Sequence, residues 1–345
     1  MKSIKAPKAK KLPSGSWMCR VTAQGDSRCF VGPLKSEVEA QALEYKVTHQ
    51  AKPLTARTVG DAVTRYISGR DKVLSPATIR GYEQVKRNYF KRLQALPLKT
   101  LTVEDCQAAI ADELESHSPK SIKNAWGLFA SAIKDAGAGA YNVRLPQVPD
   151  PDTPWLDPDQ IPLFLEAIKG HKVELPALLA LHSLRRSEIL DLTWNDVSLV
   201  KDGNVIRASI HVRGSAVVDK DHQLVHKRTN KNNSSTRTVD VWLPRLTALL
   251  QEQRKADGYL VTCNPGNLYY WINGICRSAG LPEVGVHGLR RSYASLCYHL
   301  GISERVAMQQ GGWSDAATMH KHYVKIAERD RQAAVDALRD FAKAL

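Results

Sequence analysis

The spacing of apolar residues changes character along the chain. From Val59 to Ile67, Val59, Ala62, Val63, Tyr66 and Ile67 recur at intervals of three and four, the pattern of a helix with one buried side. Ser75-Pro76 opens a second helix through ATIRGYEQVKRNYFKRL. Serine caps the first turn, and proline is tolerated where its missing N–H has no helical partner. Leu101-Thr102, with Glu104 and Asp105, starts a third, and Ser118-Pro119 introduces a fourth through KSIKNAWGLFASAIKDAG. Residues 56–140 are therefore predicted as four helices without a strand. Helical spacing returns at 161–168, 176–182 and 186–192, and then the period becomes two. NVIRASIHVR at 204–213 is strand-like, and 236–243 alternates with Val239, Val241 and Leu243 on one face. Helices resume at Arg245 and run to the end. Helices flanking a small antiparallel sheet predict an α+β, mostly helical fold.

Turn and breaker residues divide this pattern. Two short strands, 17–21 and 28–31, flank the turn Ala23-Gln24-Gly25-Asp26, and a helix follows from Ser36 to about Thr48. Prolines at 146, 149, 151, 154 and 158 impose an extended connector. Four segments result: 1–55, a β-hairpin and helix behind a basic tail; 56–145, a helical domain; 146–158, a linker; and 159–345, the largest domain.

Charge then narrows the partners. The 345 residues carry 49 Lys plus Arg against 35 Asp plus Glu, a net charge of +14. Such an excess points to a polyanion, nucleic acid first, although a merely basic surface would give the same sum. Lys86, Arg87, Lys120 and Lys123 are candidates for phosphate contact, and a solvated polar face would look the same. Six cysteines include no C-x-x-C pair, which argues against zinc and for reduced thiols in a cytoplasmic protein. Cys19 and Cys29 are placed to face each other across the hairpin. No apolar run reaches 18 residues, so no membrane span is expected. Without a Walker loop, a nucleotide-driven machine is disfavoured.

Candidate chemistry lies in the last domain. His287 and Arg290, three apart, share one helix face. Taken singly, Arg185, His287 and Tyr323 would each more often be structural than reactive. Their order is more informative. Arg185, a lysine on a hairpin, His287-x-x-Arg290, Gly312-Trp313, and Tyr323 ten residues later resemble the tyrosine recombinase family, the phage-type, lambda-integrase-like integrases. LHSLRRSEILDLTWNDV is similar to the family's first arginine box and NKNNSSTRTVDVWLP to its lysine hairpin. HGLRRSYASLCYHLGIS is similar to its second box and GGWSDAATMHKHYVKI to its third. TVGDAVTRYI with LSPATIRGY resembles the core-binding domain, and the first 55 residues resemble the arm-binding module.

The resemblance implies a DNA breaking–rejoining catalytic domain, preceded by a helical SAM-like core-DNA-binding domain and a small arm-DNA-binding module. It implies a site-specific recombinase of a phage or other mobile element, acting through a 3′-phosphotyrosine intermediate without metal or cofactor. Arg185 and Arg290 match the phosphate clamps, and Tyr323 matches the nucleophile. Lys231 matches the general acid, with Lys227 as the alternative. His287 assists phosphate binding and proton transfer. Trp313 stands where histidine is more usual; its indole N–H donates but carries no proton. Glu188 orients its neighbours, Arg186 and Arg291 point elsewhere, and Tyr293 and Tyr298 are the poorer candidates for nucleophile. Ser183 replaces the usual glycine before the first arginine. The long Trp313–Tyr323 interval is accommodated if Tyr323 begins or precedes its own helix. The implied partners are double-stranded attachment sites, three further copies of the chain in a homotetramer, a host DNA-bending protein and an excisionase. The terminal helix, with Ala333, Ala334, Ala337, Leu338 and Phe341 broadly on one side, packs on its own domain or on a neighbouring subunit. A type IB topoisomerase-like enzyme and a non-catalytic DNA-binding protein are the rival readings.

Overall fold

A computed structural model describes the chain except residues 1–5, 24–25, 49–53, 151–152, 228–235, 314 and 344–345. Two units meet between Pro149 and Asp150, inside the proline-rich stretch.

In the first unit, β1 (Lys10–Lys11), β2 (Trp17–Ala23) and β3 (Asp26–Gly32) form an antiparallel sheet in that order. Helix α1 (Lys35–Thr48) buries Val38, Ala42 and Tyr45 with Cys19 and Val21 of β2. The two thiols do not face each other. Cys19 lies opposite Phe30 and is buried, whereas Cys29 lies opposite Arg20 and is exposed. A one-residue offset across a strand pair sends side chains to opposite faces. All six cysteines are free.

Helices α2 (Val59–Ser68), α3 (Pro76–Asn88), α4 (Lys91–Ala95), α5 (Val103–Glu113) and α6 (Pro119–Asp135) follow. Thr58 with Asp61, and Thr102 with Asp105, form capping boxes that satisfy the first free N–H groups of α2 and α5. There are five helices, not four, because the helix expected to continue past Asn88 breaks at Phe90. That residue is left-handed, with φ +54°. Its ring is buried edge-on against Trp126 and Phe129, at 5.9 and 4.9 Å between centroids, and its N–H donates to the Glu113 carboxylate. The left-handed backbone costs about 1–2 kcal/mol. Burying a phenylalanine returns about 1.5–3 kcal/mol, so the packing outweighs the strain.

The second unit is built around α8 (Glu174–Leu181), every residue of which is buried. Helices α7 (Gln160–Ile168) and α9 (Arg186–Ile189) flank it in sequence. Strands β4 (Val197–Asp202), β5 (Val205–Val212) and β8 (Arg237–Asp240) form an antiparallel sheet in the order β4-β5-β8, with Ile210 opposite Val239. Strands β6 (Ser215–Val218) and β7 (Leu224–Lys227) pair separately. β4 and this hairpin were not expected from the period. Helices α10 (Pro244–Glu252), α11 (Pro265–Ser278), α12 (Val286–His299), α13 (Glu304–Gly311) and α14 (Ala316–Lys343) complete the unit. Trp155 and Leu156, expected in the linker, are buried here, and the Leu156 N–H donates to Ser292 Oγ on α12 at 2.8 Å.

His182 joins the end of α8 to the segment after β8. Its Nδ1 lies 2.7 Å from the Leu178 carbonyl, and Nε2 accepts from the backbone N–H groups of Trp242 and Leu243 at 3.2 and 3.4 Å. One nitrogen donates and the other accepts, so the ring is neutral, and burial lowers its pKa from 6.5 to about 4. The unfolded chain takes up this proton near pH 6.5 and the folded chain only near 4, so protons favour unfolding. The stabilisation is complete above pH 6.5 and falls by about 3 kcal/mol as pH drops towards 4. Urea unfolding at pH 7 and pH 4.5 should show a shallower pH dependence in His182→Gln than in the wild type; equal slopes would count against this assignment.

Candidate active site

Arg185 stands at the N-terminal edge of α9, immediately after a turn in which Ser183 adopts φ +68°. Ser183 is buried, and its hydroxyl has no hydrogen-bond partner among the described residues. The departure from glycine therefore leaves the turn intact and strains it.

Three arginines converge on the C-terminal end of α13. Arg237 Nε donates to the Gln310 carbonyl at 3.1 Å, Arg290 Nη1 to the Gly311 carbonyl at 2.6 Å, and Arg185 Nη2 to the Gly312 carbonyl at 2.6 Å. Three consecutive carbonyls thus each hold one guanidinium. Helix carbonyls at this end lack intrahelical partners and carry the negative pole of the helix dipole, so cations are favoured there. Arg290 Nη1 also donates to the Ser183 carbonyl, which ties the strained turn to α12.

The Gly311-Gly312 pair makes this approach possible. A Cβ on Gly311 would overlap the Trp313 ring, and one on Gly312, where φ is +66°, would lie 2.6 Å from the Arg237 guanidinium carbon. Trp313 presents its face to Arg290, whose guanidinium lies 4.0 Å from the ring centroid, and stacks on Tyr293 at 6.3 Å.

One carboxylate offsets the three cations. Glu188 is 3% exposed. It accepts the Arg185 backbone N–H at 2.8 Å and Arg185 Nη1 at 2.7 Å, and it takes Arg237 Nη1 and Nη2 at 3.2 and 3.0 Å. Burial pushes its pKa up, but the fields of Arg237 and Arg185 and these hydrogen bonds outweigh burial and leave it lowered. Arg290 is pushed down to about 9 by burial and by repulsion from Arg185 and Arg237, and stays protonated at pH 7. Its Nη2 is buried without a partner among the described residues. An unpaired buried donor costs about 1–3 kcal/mol, and here it sits in a cluster with surplus positive charge. Such a site is complementary to an anion.

His287, on the first turn of α12, has a lowered pKa through desolvation and the fields of Arg290, Arg186, Arg291 and Arg185. The residue lies exposed on the helix surface, and the arginine fields act on it in the same direction as desolvation. Arg186 is exposed, and Arg291 Nη1 reaches the Thr153 carbonyl at 3.3 Å, so both point away from the cluster.

Tyr323 is the eighth residue of α14, so it neither begins nor precedes its helix. A single helix carries it inward from Ala316, and the long interval is taken up there. The ring packs on the cluster formed by Tyr293, Ala294, Cys297, Ala307 and Met319, against which Trp313 also packs. Tyr298 lies edge-on at 5.5 Å. The hydroxyl has no hydrogen-bond partner among the described residues, and burial, with smaller effects of Cys297 and Glu304, raises its pKa to about 12.

The structure therefore brings Arg185, Glu188, Arg290 and Trp313 together, with His287 in the field of the arginines. Tyr323 shares an apolar cluster with Trp313. Lys231 lies outside the described residues, and Lys227 ends β7 opposite Ser215. Lys86 and Arg87 lie in the last turn of α3, and Lys120 and Lys123 are exposed in the first two turns of α6. Arg237 was missed, yet the alternation that points Val239 and Val241 inward points Arg237 inward as well.

An α+β domain that gathers arginines, a histidine and a tyrosine from separate elements has the character of a phosphoryl-transfer catalyst. The family model described as the phage integrase family matches residues 154–329. The chain belongs to that family. It is 24% identical to a tyrosine recombinase XerC-like protein of Caldanaerobacter subterraneus subsp. tengcongensis, over 90% of this chain and 91% of that one. It is 21% identical to prophage integrase IntF of Escherichia coli strain K12, over 93% of this chain and 68% of that one. Among solved structures, the Tn1549 transposon integrase in complex with transposon right end DNA gives a TM-score of 0.62 at 18% identity, covering 80% of this chain and 99% of that chain. A lambda integrase tetramer bound to a Holliday junction gives 0.56 at 16% identity, covering 92% and 96%.

Two substitutions test the cluster. Ser183→Gly relieves a left-handed serine and removes an unpaired hydroxyl, against the greater entropy of glycine in the unfolded chain; a net gain of about 1 kcal/mol in urea unfolding is expected. Arg237→Ala strips the buried Glu188 of a bidentate partner and should cost about 3–5 kcal/mol by the same measurement. A loss below 1 kcal/mol would mean that Arg185 alone suffices to hold Glu188.

Proposed function

We propose that this phage integrase family member is a site-specific DNA recombinase in which Tyr323 cleaves one strand at a time and keeps it as a 3′-phosphotyrosine. The observation that carries the reading is the guanidinium cluster on α13, with two more positive charges than its one carboxylate balances. In the reaction, the Tyr323 oxygen attacks phosphorus, the bond from phosphorus to the 5′-oxygen breaks, and negative charge gathers on the non-bridging oxygens. Arg185 and Arg290 bind those oxygens, and their fixed positions favour the transition state. His287, held neutral by its surroundings, is suited to take the phenol proton. Lys231 gives a proton to the leaving 5′-oxygen. Trp313 supports Arg290 by contact. Attack by a second 5′-hydroxyl reverses the step on a new partner. One phosphodiester replaces another, so no energy source is consumed.

The pKa of about 12 at Tyr323 describes the DNA-free chain. A phosphate seated on the arginines brings phosphorus within reach, and loss of the proton is then coupled to bond formation. We assign the first 55 residues to arm-site DNA, and Lys86, Arg87, Lys120 and Lys123 of the helical segment to core-site phosphates. Strand exchange between two duplexes calls for four active sites, hence a homotetramer. Leu338 and Phe341 of α14, both exposed, suit docking on a neighbouring subunit. A host DNA-bending protein and an excisionase would set the direction of the reaction, integrating or excising the element.

The test is a nicked suicide DNA carrying the attachment site, incubated without metal or ATP. A denaturation-resistant protein–DNA adduct is expected from the wild type and none from Tyr323→Phe; an adduct that persists in the variant would remove Tyr323 from the role. Exchange between two duplexes, rather than relaxation of supercoils alone, separates a recombinase from a topoisomerase.

A further inference from the structure

The hairpin that leads to Lys231 is held by contacts for which the proposed chemistry has no other use. Among the described residues β6 and β7 pair only with each other, and a lone two-stranded hairpin is marginal in water. On β7, His226 Nδ1 lies 2.9 Å from Asp191 Oδ1, and the imidazole stacks on the Tyr259 ring with centroids 4.1 Å apart and planes 24° from parallel. An ionised carboxylate only accepts, so Nδ1 carries the hydrogen.

Both contacts belong to the frame that carries the first arginine. The Asp191 N–H donates to the Glu188 carbonyl at 3.0 Å, directly after α9. Tyr259 is fixed to the same stretch: the Trp194 N–H donates to the Gly258 carbonyl at 3.0 Å, and the Leu260 N–H to the Leu192 carbonyl at 2.9 Å. Where the chain enters the hairpin, a Cβ on Gly214 would overlap the Asp191 carboxylate and lie 2.7 Å from the Lys227 carbonyl. Glycine is therefore required for the hairpin to close on Asp191. Lys231 stands five positions beyond His226, a tether of about 17 Å at full extension. Wherever His226 is fixed, the reach of that lysine is fixed with it.

We propose that Asp191 and His226 form a latch that sets the β6–β7 hairpin, and through it Lys231, against the arginine cluster. They are positioning residues for protonation of the leaving 5′-oxygen. The inference rests on the reading of Lys231 as the general acid.

A substrate in which sulfur replaces the bridging 5′-oxygen provides the test. A thiol has a pKa near 8.5, far below that of an alcohol, so the sulfur departs without a donated proton. His226→Ala and Asp191→Ala should cleave the ordinary suicide substrate about 10- to 100-fold more slowly than wild type, and the sulfur substrate at close to the wild-type rate. His226→Asn places an amide N–H near the former Nδ1 and should recover much of the ordinary cleavage. Lys231→Ala should show the same rescue by sulfur, and Arg290→Ala should stay slow on both substrates. Rapid cleavage of the sulfur substrate also shows that the variants are folded. Latch variants that match wild type on the ordinary substrate, or that are equally slow on both, overturn the latch while the wild type still forms its adduct. A wild-type protein that forms no adduct on either substrate overturns the recombinase reading, and the latch with it.

Discussion

The attraction between one helix end and three guanidinium groups organises the catalytic unit. Three like charges within one site repel, and desolvation adds to the cost, as the depressed pKa of Arg290 records. What offsets this is local: three successive carbonyls, one buried carboxylate and the face of Trp313. Much of the surrounding structure follows from that arrangement. Gly311 and Gly312 lack side chains so that Trp313 and Arg237 can approach. Ser183 accepts a strained backbone at the turn whose carbonyl meets Arg290. The register of β8 places Arg237 beside Glu188.

This arrangement separates two tasks that a sequence motif tends to merge. Glu188 and Arg237 hold the cluster together, whereas Arg185 and Arg290 keep donors that a bound phosphate could engage. A buried ion pair is weak evidence of stability by itself, since replacing both partners with apolar groups is often neutral. Its value here is geometric. The carboxylate accepts the Arg185 backbone N–H as well as two side chains, so it fixes where α9 starts and where its arginine points.

The fold class and the arginine boxes were legible because they rest on local signals: periodicity, Ser-Pro caps and the spacing of unusual polar residues. Other features were not read. The break at Phe90 is a tertiary effect, since nothing local marks a phenylalanine as left-handed; Trp126 and Phe129, far along the chain, stabilise it. The β6–β7 hairpin escaped because its strands are short and only Ala216 is fully buried in the core. Arg237 was legible in principle and overlooked, because an inward-facing arginine in an alternating strand reads as polar until a buried partner is known. The burial of the Tyr323 hydroxyl was likewise beyond the motif, which specifies a residue and not its surroundings.

The one-to-one match between three arginines and three consecutive carbonyls makes the end of α13 act as a ruler. The spacing between guanidinium groups is inherited from the peptide repeat, which is stiff, and not from the torsions of long side chains, which are soft. The rotamer freedom of those side chains is already lost when the chain folds. Under the proposed function, contact with DNA would not have to remove it again, and more of the phosphate interaction would be left to act on the reacting bond.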